Sequence, residues 1–320
     1  MMRVAVLIVS ALMAAGCSDP PPPKPVQSIE KPIKQVDEKS CSVERLRTMI
    51  PKLAPLHDEF GPPKPGDWIL SHEEDGQTFE QYMECGPVLP QGERTVLYVQ
   101  PVGEFNAKQR EIVNLSAEFM SIFFNLPVTI VEDVGLDVIP KDARRVHPSW
   151  GGDQILSTYV LYDVLKPRLP DDAAAYIAFT ATDLWPGEGW NFVFGQASTR
   201  DRVGVWSLHR NGNPETEFEL VLLRTLKTAV HETSHMFTLL HCTKYECNMC
   251  GCNSREEGDR RPLALCPECL AKVCWATKTD PALRYRKLIE FCKRTKLDDT
   301  AAFYEKLLKA LEGVSRIDLR

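Results

Sequence analysis

His231-Glu232-Thr233-Ser234-His235, followed by His241 and Cys242, is the stretch of this 320-residue chain whose residue types and spacing can do chemistry. Residues four apart share one face of a helix, so His231 and His235 can point at one metal ion while Glu232 reaches a water held there. His241 lies six residues beyond His235, so the helix must break soon after His235 for the chain to turn back and deliver a third nitrogen. Three imidazoles leave the fourth tetrahedral position of zinc open to water, as in catalytic rather than structural sites. Such zinc lowers the pKa of its water to about 7, and Glu232 stands where a general base must stand. Amide hydrolysis needs this combined activation and then requires no Ser, Cys or Thr nucleophile.

The cysteines behind the histidines form two close pairs: Cys242 and Cys247, then, beyond Met249, Cys266 and Cys269 in Cys-Pro-Glu-Cys. Two close pairs suit a closed zinc site with four thiolate ligands. Spacing alone lets Cys250 or Cys252 replace Cys247, and in an oxidising compartment the four thiols can instead pair as disulfides.

Together these segments resemble an archaemetzincin, whose zinc signature HExxHxxGxxHC is followed by CxM and a distant CxxC. The resemblance covers roughly residues 93 to 290. It extends to Asp183-Leu184, Asn191-Phe192-Val193-Phe194-Gly195, Val205-Trp206-Ser207-Leu208, and Arg224 and Lys227. It implies a zinc metallopeptidase acting on peptides or protein segments, with two zinc ions per chain. The catalytic ion would take His231, His235 and His241, with Glu232 as base; the structural ion would take Cys242, Cys247, Cys266 and Cys269. Met249 would be the apolar base of a tight turn beneath the metal, a plain core methionine being the alternative. The Asn191–Gly195 motif would be either an edge strand pairing with extended peptide or buried sheet. The signature departs from the family at one place, where Thr238 stands for Gly. Gly takes positive φ at no cost, whereas a β-branched residue there is strained by about 1–3 kcal/mol. Either the turn is made differently or the site carries that strain.

The elements that must position these groups alternate. Thr95–Val99, ended by Pro101, and Val128–Val131 read as strands, and Ala174–Thr180, Phe192–Gly195 and Val203–Leu208 as three more. Asn106 caps a helix with Ile112, Leu115, Phe119, Ile122 and Phe123 on one face; Gln154–Lys166 reads as a second helix, with Ile155, Tyr159, Tyr162 and Leu165 on its face. The zinc helix is expected to start at Asn213-Pro214, seated on the sheet by Phe218, Val221, Leu222, Leu226, Ala229 and Val230. From Cys266 onward the pattern is helical. Strands alternating with helices predict a mixed α/β sheet; the resemblance refines this to a metzincin-like twisted mixed β-sheet, a central zinc-binding helix and a smaller helical C-terminal lobe, with the site in the cleft between lobes.

At the N-terminus, Arg3, the apolar run 4–13 and Ala14-Ala15-Gly16 read as a signal peptide over residues 1–16. Cys17 directly behind them resembles the acylated cysteine of a lipobox, and the proline run that follows makes residues 17–40 a tether lifting the domain at 41–320 off a membrane. The N-terminal lobe of that domain would run to about 241. The chain is thus expected to be exported and held at the extracytoplasmic face of a membrane. Among the remaining cysteines, Cys41 and Cys85 form a candidate disulfide. Net charge of −6 and a pI near 5.7 exclude the basic footprint that nucleic-acid binding requires. Isolated His57, His72, His147 and His209 read as surface or hydrogen-bonded side chains, and Trp185, Trp190 and Phe192 as packing. Two other functions compete with peptide hydrolysis: a zinc-binding lipoprotein whose chemistry Thr238 has impaired, used for binding or scaffolding, and a cysteine-rich metal-handling or redox protein.

Overall fold

The computed structural model describes residues 20–315; the segment expected as a signal peptide and Cys17 lie outside the described residues. Strand β1 (Pro25–Ile29) precedes helices α1 (Val43–Leu53) and α2 (Phe79–Glu84). Then come β2 (Val96–Val102), α3 (Ala107–Phe124), β3 (Val128–Val131), β4 (Arg144–Val146) and β5 (Asp153–Leu156). Helix α4 begins as an α-turn at Ser157–Tyr159 and widens into a π-helix over Val160–Leu165. Strands β6 (Ala173–Thr180), β7 (Asp183–Trp185), β8 (Gly195–Ala197) and β9 (Val203–Ser207) lead into the long helix α5 (Phe218–Met236). Helices α6 (Arg255–Arg260), α7 (Pro267–Thr277), α8 (Pro281–Arg294) and α9 (Asp298–Ser315) follow. Among the described residues no helix is long and apolar enough to cross a membrane.

The main sheet is mixed, with strand order β1-β3-β2-β6-β9-β8. β3, β2, β6 and β9 run parallel, and the two edge strands, β1 and β8, are antiparallel to their neighbours. All eight residues of β6 are buried because both sheet faces are covered. Ile177 and Phe179 face one core with α3 and α5, while Tyr176 and Ala178 face a second core with α4. Helices α1 and α2 pack on α7, so the segment before the sheet joins the C-terminal helices.

Several elements depart from the expected bounds for physical reasons. β2 runs through Pro101 because Gln100 Nε2 donates to Glu132 O at 2.6 Å, occupying a carbonyl on the side where proline has no N–H. Residues 154–156, expected as the start of a helix, belong instead to β5, between β4 and β7. The π-turn then shifts the period, so Val160, Leu161, Val164 and Leu165 are buried and Tyr162 is exposed. α5 starts at Phe218, not at Pro214: Asn213 Oδ1 accepts from Glu215 N in a tight local turn, and Glu217, at φ −136°, separates that turn from the helix. Residues 25–29, expected within the tether, are extended but hydrogen-bonded along β3, where an edge position tolerates Pro25. Cys41 and Cys85 are unpaired: Cys41 donates to Glu38 O beneath α1, and Cys85, at the exposed end of α2, to Tyr82 O.

His57 is also not where expected. It is buried edge-on against Phe303 and Tyr245, and its Nε2 has no hydrogen-bond partner. Burial holds its pKa down at about 4. Since the folded value lies below the ordinary 6.5, the ring takes up its proton on unfolding; its contribution to stability is complete above about pH 6.5 and is lost as pH falls toward 4. His57→Phe is expected to reduce the loss of unfolding free energy between pH 7 and pH 4.5 by about 2 kcal/mol in urea titrations. An unchanged loss would show that His57 is not held neutral.

Candidate metal centre

One face of α5 buries Val221, Leu222, Leu226, Ala229 and Val230 in the core, and the opposite face turns Thr228, His231, Glu232 and His235 into a cleft of about 300 Å³. The sheet edge forms one wall. Gly195, which opens β8, sits so close to α5 that a Cβ there would lie 3.0 Å from Glu232 Cγ and 3.2 Å from Thr228 Cγ2. A side chain at 195 would displace Glu232. Val193, expected in the strand itself, instead makes a single bridge to Leu184.

The break after His235 is a Schellman turn. Thr238 N donates to His235 O at 2.8 Å and Leu239 N to Ser234 O at 3.1 Å, with Thr238 at φ 68° in the left-handed position that glycine favours. The strain foreseen at Thr238 is therefore present, and a distant segment holds it in place. Val88 N donates to Thr238 Oγ1 at 3.0 Å, Gln77 Nε2 to Thr238 O at 3.4 Å, and Tyr82 Oη to Phe237 O at 2.8 Å. Thr238→Gly removes about 1–2 kcal/mol of left-handed cost but loses a hydrogen bond of about 0.5–1.5 kcal/mol and gains unfolded-state freedom. Its unfolding free energy is expected within about 1 kcal/mol of native, whereas Thr238→Val, which keeps the strain and loses the bond, is expected to fall by more than about 1 kcal/mol. A glycine variant less stable than the valine variant would contradict this balance.

The turn brings three histidines together, their ligand nitrogens within 4.8 Å of one another. Each ring is oriented from its far side. His231 Nδ1 donates to Asn248 O at 2.7 Å, His235 Nδ1 to Leu239 O at 2.6 Å, and His241 Nδ1 to the Glu74 carboxylate at 2.8 and 3.0 Å. A carbonyl can only accept, so in the neutral rings of His231 and His235 both Nε2 atoms carry lone pairs, and these face each other 2.9 Å apart. Burial, followed by the neighbouring rings, pushes both pKa values far down, so a shared proton does not relieve the repulsion. A cation does. The donor set fits zinc, with the far-side partners that metal-bound histidines use.

Cys242, Cys247, Cys266 and Cys269 also converge within 4.8 Å, all buried and all free thiols. Met249 N and Cys266 N donate to Cys247 Sγ at 3.4 and 3.2 Å, and Cys269 N donates to Cys266 Sγ at 3.5 Å, contacts that suit thiolates. Hydrogen bonds from Cys247, Cys250 and the other thiols pull Cys242 far below the usual range; burial, then the bond to Cys242, pushes Cys247 far above it. The lowered thiol of Cys242 thus raises its neighbours Cys247 and Cys269, and zinc would support four thiolates. Cys250, which also approaches Cys242, donates to Tyr245 O at 3.2 Å, and Cys252 lines the histidine cleft; neither is among the four that converge.

Met249 is fully buried, its carbonyl accepting from Cys242 N at 2.8 Å. Asn248 O, one residue before it, holds His231, so the 247–250 turn ties the two clusters together. Trp190 and Trp68 border the cleft, Arg145 lies over Trp185 at 4.2 Å, and Arg210 over Phe192 at 3.7 Å. His72 and His147 stack on Trp68 and Trp150 and belong to no metal-ligating cluster among the described residues, although Trp68 in turn packs edge-on against His241 at 5.4 Å. The chain's own sequence hides Glu74, Gln77 and Tyr82, whose partners lie more than 150 residues away. Only the acidic run 73–75 beside Gly76 marked that loop at all.

Comparison with known proteins gives this geometry a family. The model of Peptidase family M54 matches residues 172–274. Archaemetzincin-2 of Homo sapiens is 32% identical, the match covering 81% of this chain and 81% of that protein. Archaemetzincin-2 of Mus musculus is 31% identical over 74% of this chain and 75% of its own length. A crystal structure of archaemetzincin from Methanopyrus kandleri is 27% identical, covering 59% of this chain and 99% of that one, at a TM-score of 0.47. With about a third of its residues identical to a relative matched over four-fifths of both chains, this chain belongs to the archaemetzincins, a family of zinc-dependent metallopeptidases.

Proposed function

We propose that the chain hydrolyses peptide bonds at the three-histidine site with Glu232 as general base, and that it carries a second, structural zinc in the four-cysteine site. The observation that carries this reading is the convergence of His231, His235 and His241, each ring oriented from its far side, with Glu232 on the same helix face. Zinc bound there supplies Lewis acidity for the scissile carbonyl and for the attacking water. Glu232 accepts the proton of that water as its oxygen bonds to the carbonyl carbon, then passes the proton to the amine nitrogen as the C–N bond breaks. The Gly195 backbone lies close against the Glu232 stem, which limits where its carboxyl can swing. Among the described residues, edge strand β8 pairs only with β9, leaving its other side along the cleft for an extended peptide to add as a strand. Met249 closes the apolar floor beneath the histidines.

Removal of zinc with a chelator is expected to abolish hydrolysis of an unstructured peptide pool, and zinc is expected to restore it; a zinc-restored protein that cleaves nothing would contradict the reading. The alternative of an impaired zinc-binding scaffold draws on Thr238, yet the strained turn still delivers His241 to the triad.

The chain is further read as an exported lipoprotein, anchored through Cys17 and separated from the membrane by the proline run. Cells expressing the full chain are expected to incorporate labelled palmitate into it, and Cys17→Ser to abolish the label; label retained in that variant would remove the anchor.

A further inference from the structure

The inner end of the cleft is electrostatically unbalanced. Lys227 lies four residues before His231 on α5, and Arg255, on α6, faces the same cavity. The other cations nearby are matched. Arg224 forks onto Asp259, Nε to Oδ1 at 3.0 Å, and Arg210 forks onto Asp183 at 2.8 and 2.7 Å. Arg261 pairs with Glu246 and, at 3.8 Å, with Glu257. Lys227 and Arg255 have no carboxylate within ion-pair distance among the described residues. Lys227 Nζ reaches only the carbonyl oxygens of Gly258, at 3.1 Å, and Asp259, at 3.5 Å. Arg255 gives Nε to Arg210 O at 3.2 Å and lays its guanidinium 3.6 Å over the Phe194 ring, while its Nη2 is sealed from solvent with no hydrogen-bond partner. Burial lowers the Lys227 amine to about 8 and the Arg255 guanidinium to about 10; Asp259, which lines the same cavity but is forked by Arg224, offsets this only in part.

We propose that this inner end is an anion subsite, in which Lys227 and Arg255 bind a carboxylate of the peptide substrate: an Asp or Glu side chain, or the terminal carboxylate. It rests on the peptidase reading of the adjoining histidines and adds the substrate class. A carboxylate is what the two groups lack, since it offers charge-assisted acceptors to an ammonium and a guanidinium at once. Four helical residues rise about 6 Å, roughly the reach of two residues of extended chain. The recognised carboxylate therefore belongs one or two residues from the bond aligned on the histidines.

The test uses the zinc-loaded full chain carrying Glu232→Gln, so that ligand is bound but not consumed. Three alanine-rich peptides are compared by calorimetry: one capped at both ends with a single central Glu, its twin with Gln in that place, and the Gln peptide with a free C-terminus. A peptide bearing a carboxylate is expected to bind about 10- to 100-fold tighter than the capped Gln peptide, as hydrogen bonds to charged groups allow. The central Glu gaining the advantage assigns the subsite to a side chain; the free terminus gaining it assigns the subsite to a chain end. Addition of Lys227→Met and Arg255→Met is expected to bring the advantage below about 3-fold. Equal affinity for all three peptides overturns the subsite without recourse to those variants, as does an advantage that survives in them. The two readings separate with the wild-type chain: cleavage with no carboxylate preference leaves the peptidase and removes the subsite, whereas carboxylate-dependent binding without cleavage does the reverse.

Discussion

Glu232→Gln is expected to lower kcat for peptide hydrolysis by about 100- to 10,000-fold, with KM and zinc content nearly unchanged. Gln keeps the shape of the side chain, so its stem still packs against Gly195 and no cavity opens in the wall formed by β8. The histidine nitrogens keep their orienting partners, none of which involves residue 232. What is lost is an oxygen able to take a proton from water, since a neutral amide has no such basicity. Burial alone lifts the Glu232 carboxyl, and the charge of a zinc ion at the histidines would draw it back toward the ionised form that a base needs. Steady-state kinetics on a quenched fluorogenic peptide, with elemental analysis of the same sample, checks the split. A variant retaining more than about a tenth of native kcat would mean that another group serves as base.

The second large effect concerns the cysteines. Cys269→Ala is expected to unfold the chain at room temperature, whereas His235→Ala keeps its fold. Structural zinc in small domains supplies roughly 10–16 kcal/mol of apparent binding free energy, comparable with the whole stability of a typical domain. Here the site joins the 242–250 turn to α7, whose first turn is capped by Cys266 itself. Losing one sulfur leaves three buried thiols and uncouples the turn that carries Asn248 O to His231 and Cys242 next to His241. Both metal sites should empty together. Circular dichroism and zinc analysis of the two variants side by side read the difference; a folded Cys269→Ala chain with full zinc would contradict it.

The parts of this arrangement legible in the sequence are those written in local spacing. His231 and His235 share a helical face by period alone, the Asn106 cap closes on Gln109 three residues away, and β3 is a run of β-branched residues. The apolar seat of α5 follows from the same period. What stayed hidden depends on partners far along the chain. Glu74 orients His241 across 167 residues, and Val88 and Gln77 hold Thr238 across 150 and 161. No local signal distinguishes such a carboxylate or amide from a solvated one. Pro101 within β2 is hidden for the same reason: a proline ends a strand unless some other donor, here Gln100, takes up the unmatched carbonyl. The late start of α5 follows from the Asn213 side chain closing a tight turn of its own, which leaves Glu217, without a side-chain cap, as the residue before the helix. The π-turn of α4 defeats any reading that assumes 3.6 residues per turn.

Zinc per chain, measured by elemental analysis on the purified protein and on His235→Ala, tests the central claim most directly. Two zinc ions in the native chain and one in a still-folded His235→Ala variant is the expected result. An unchanged zinc count after loss of His235 would mean that the three histidines hold no metal, and the proposed catalytic centre would fall with them.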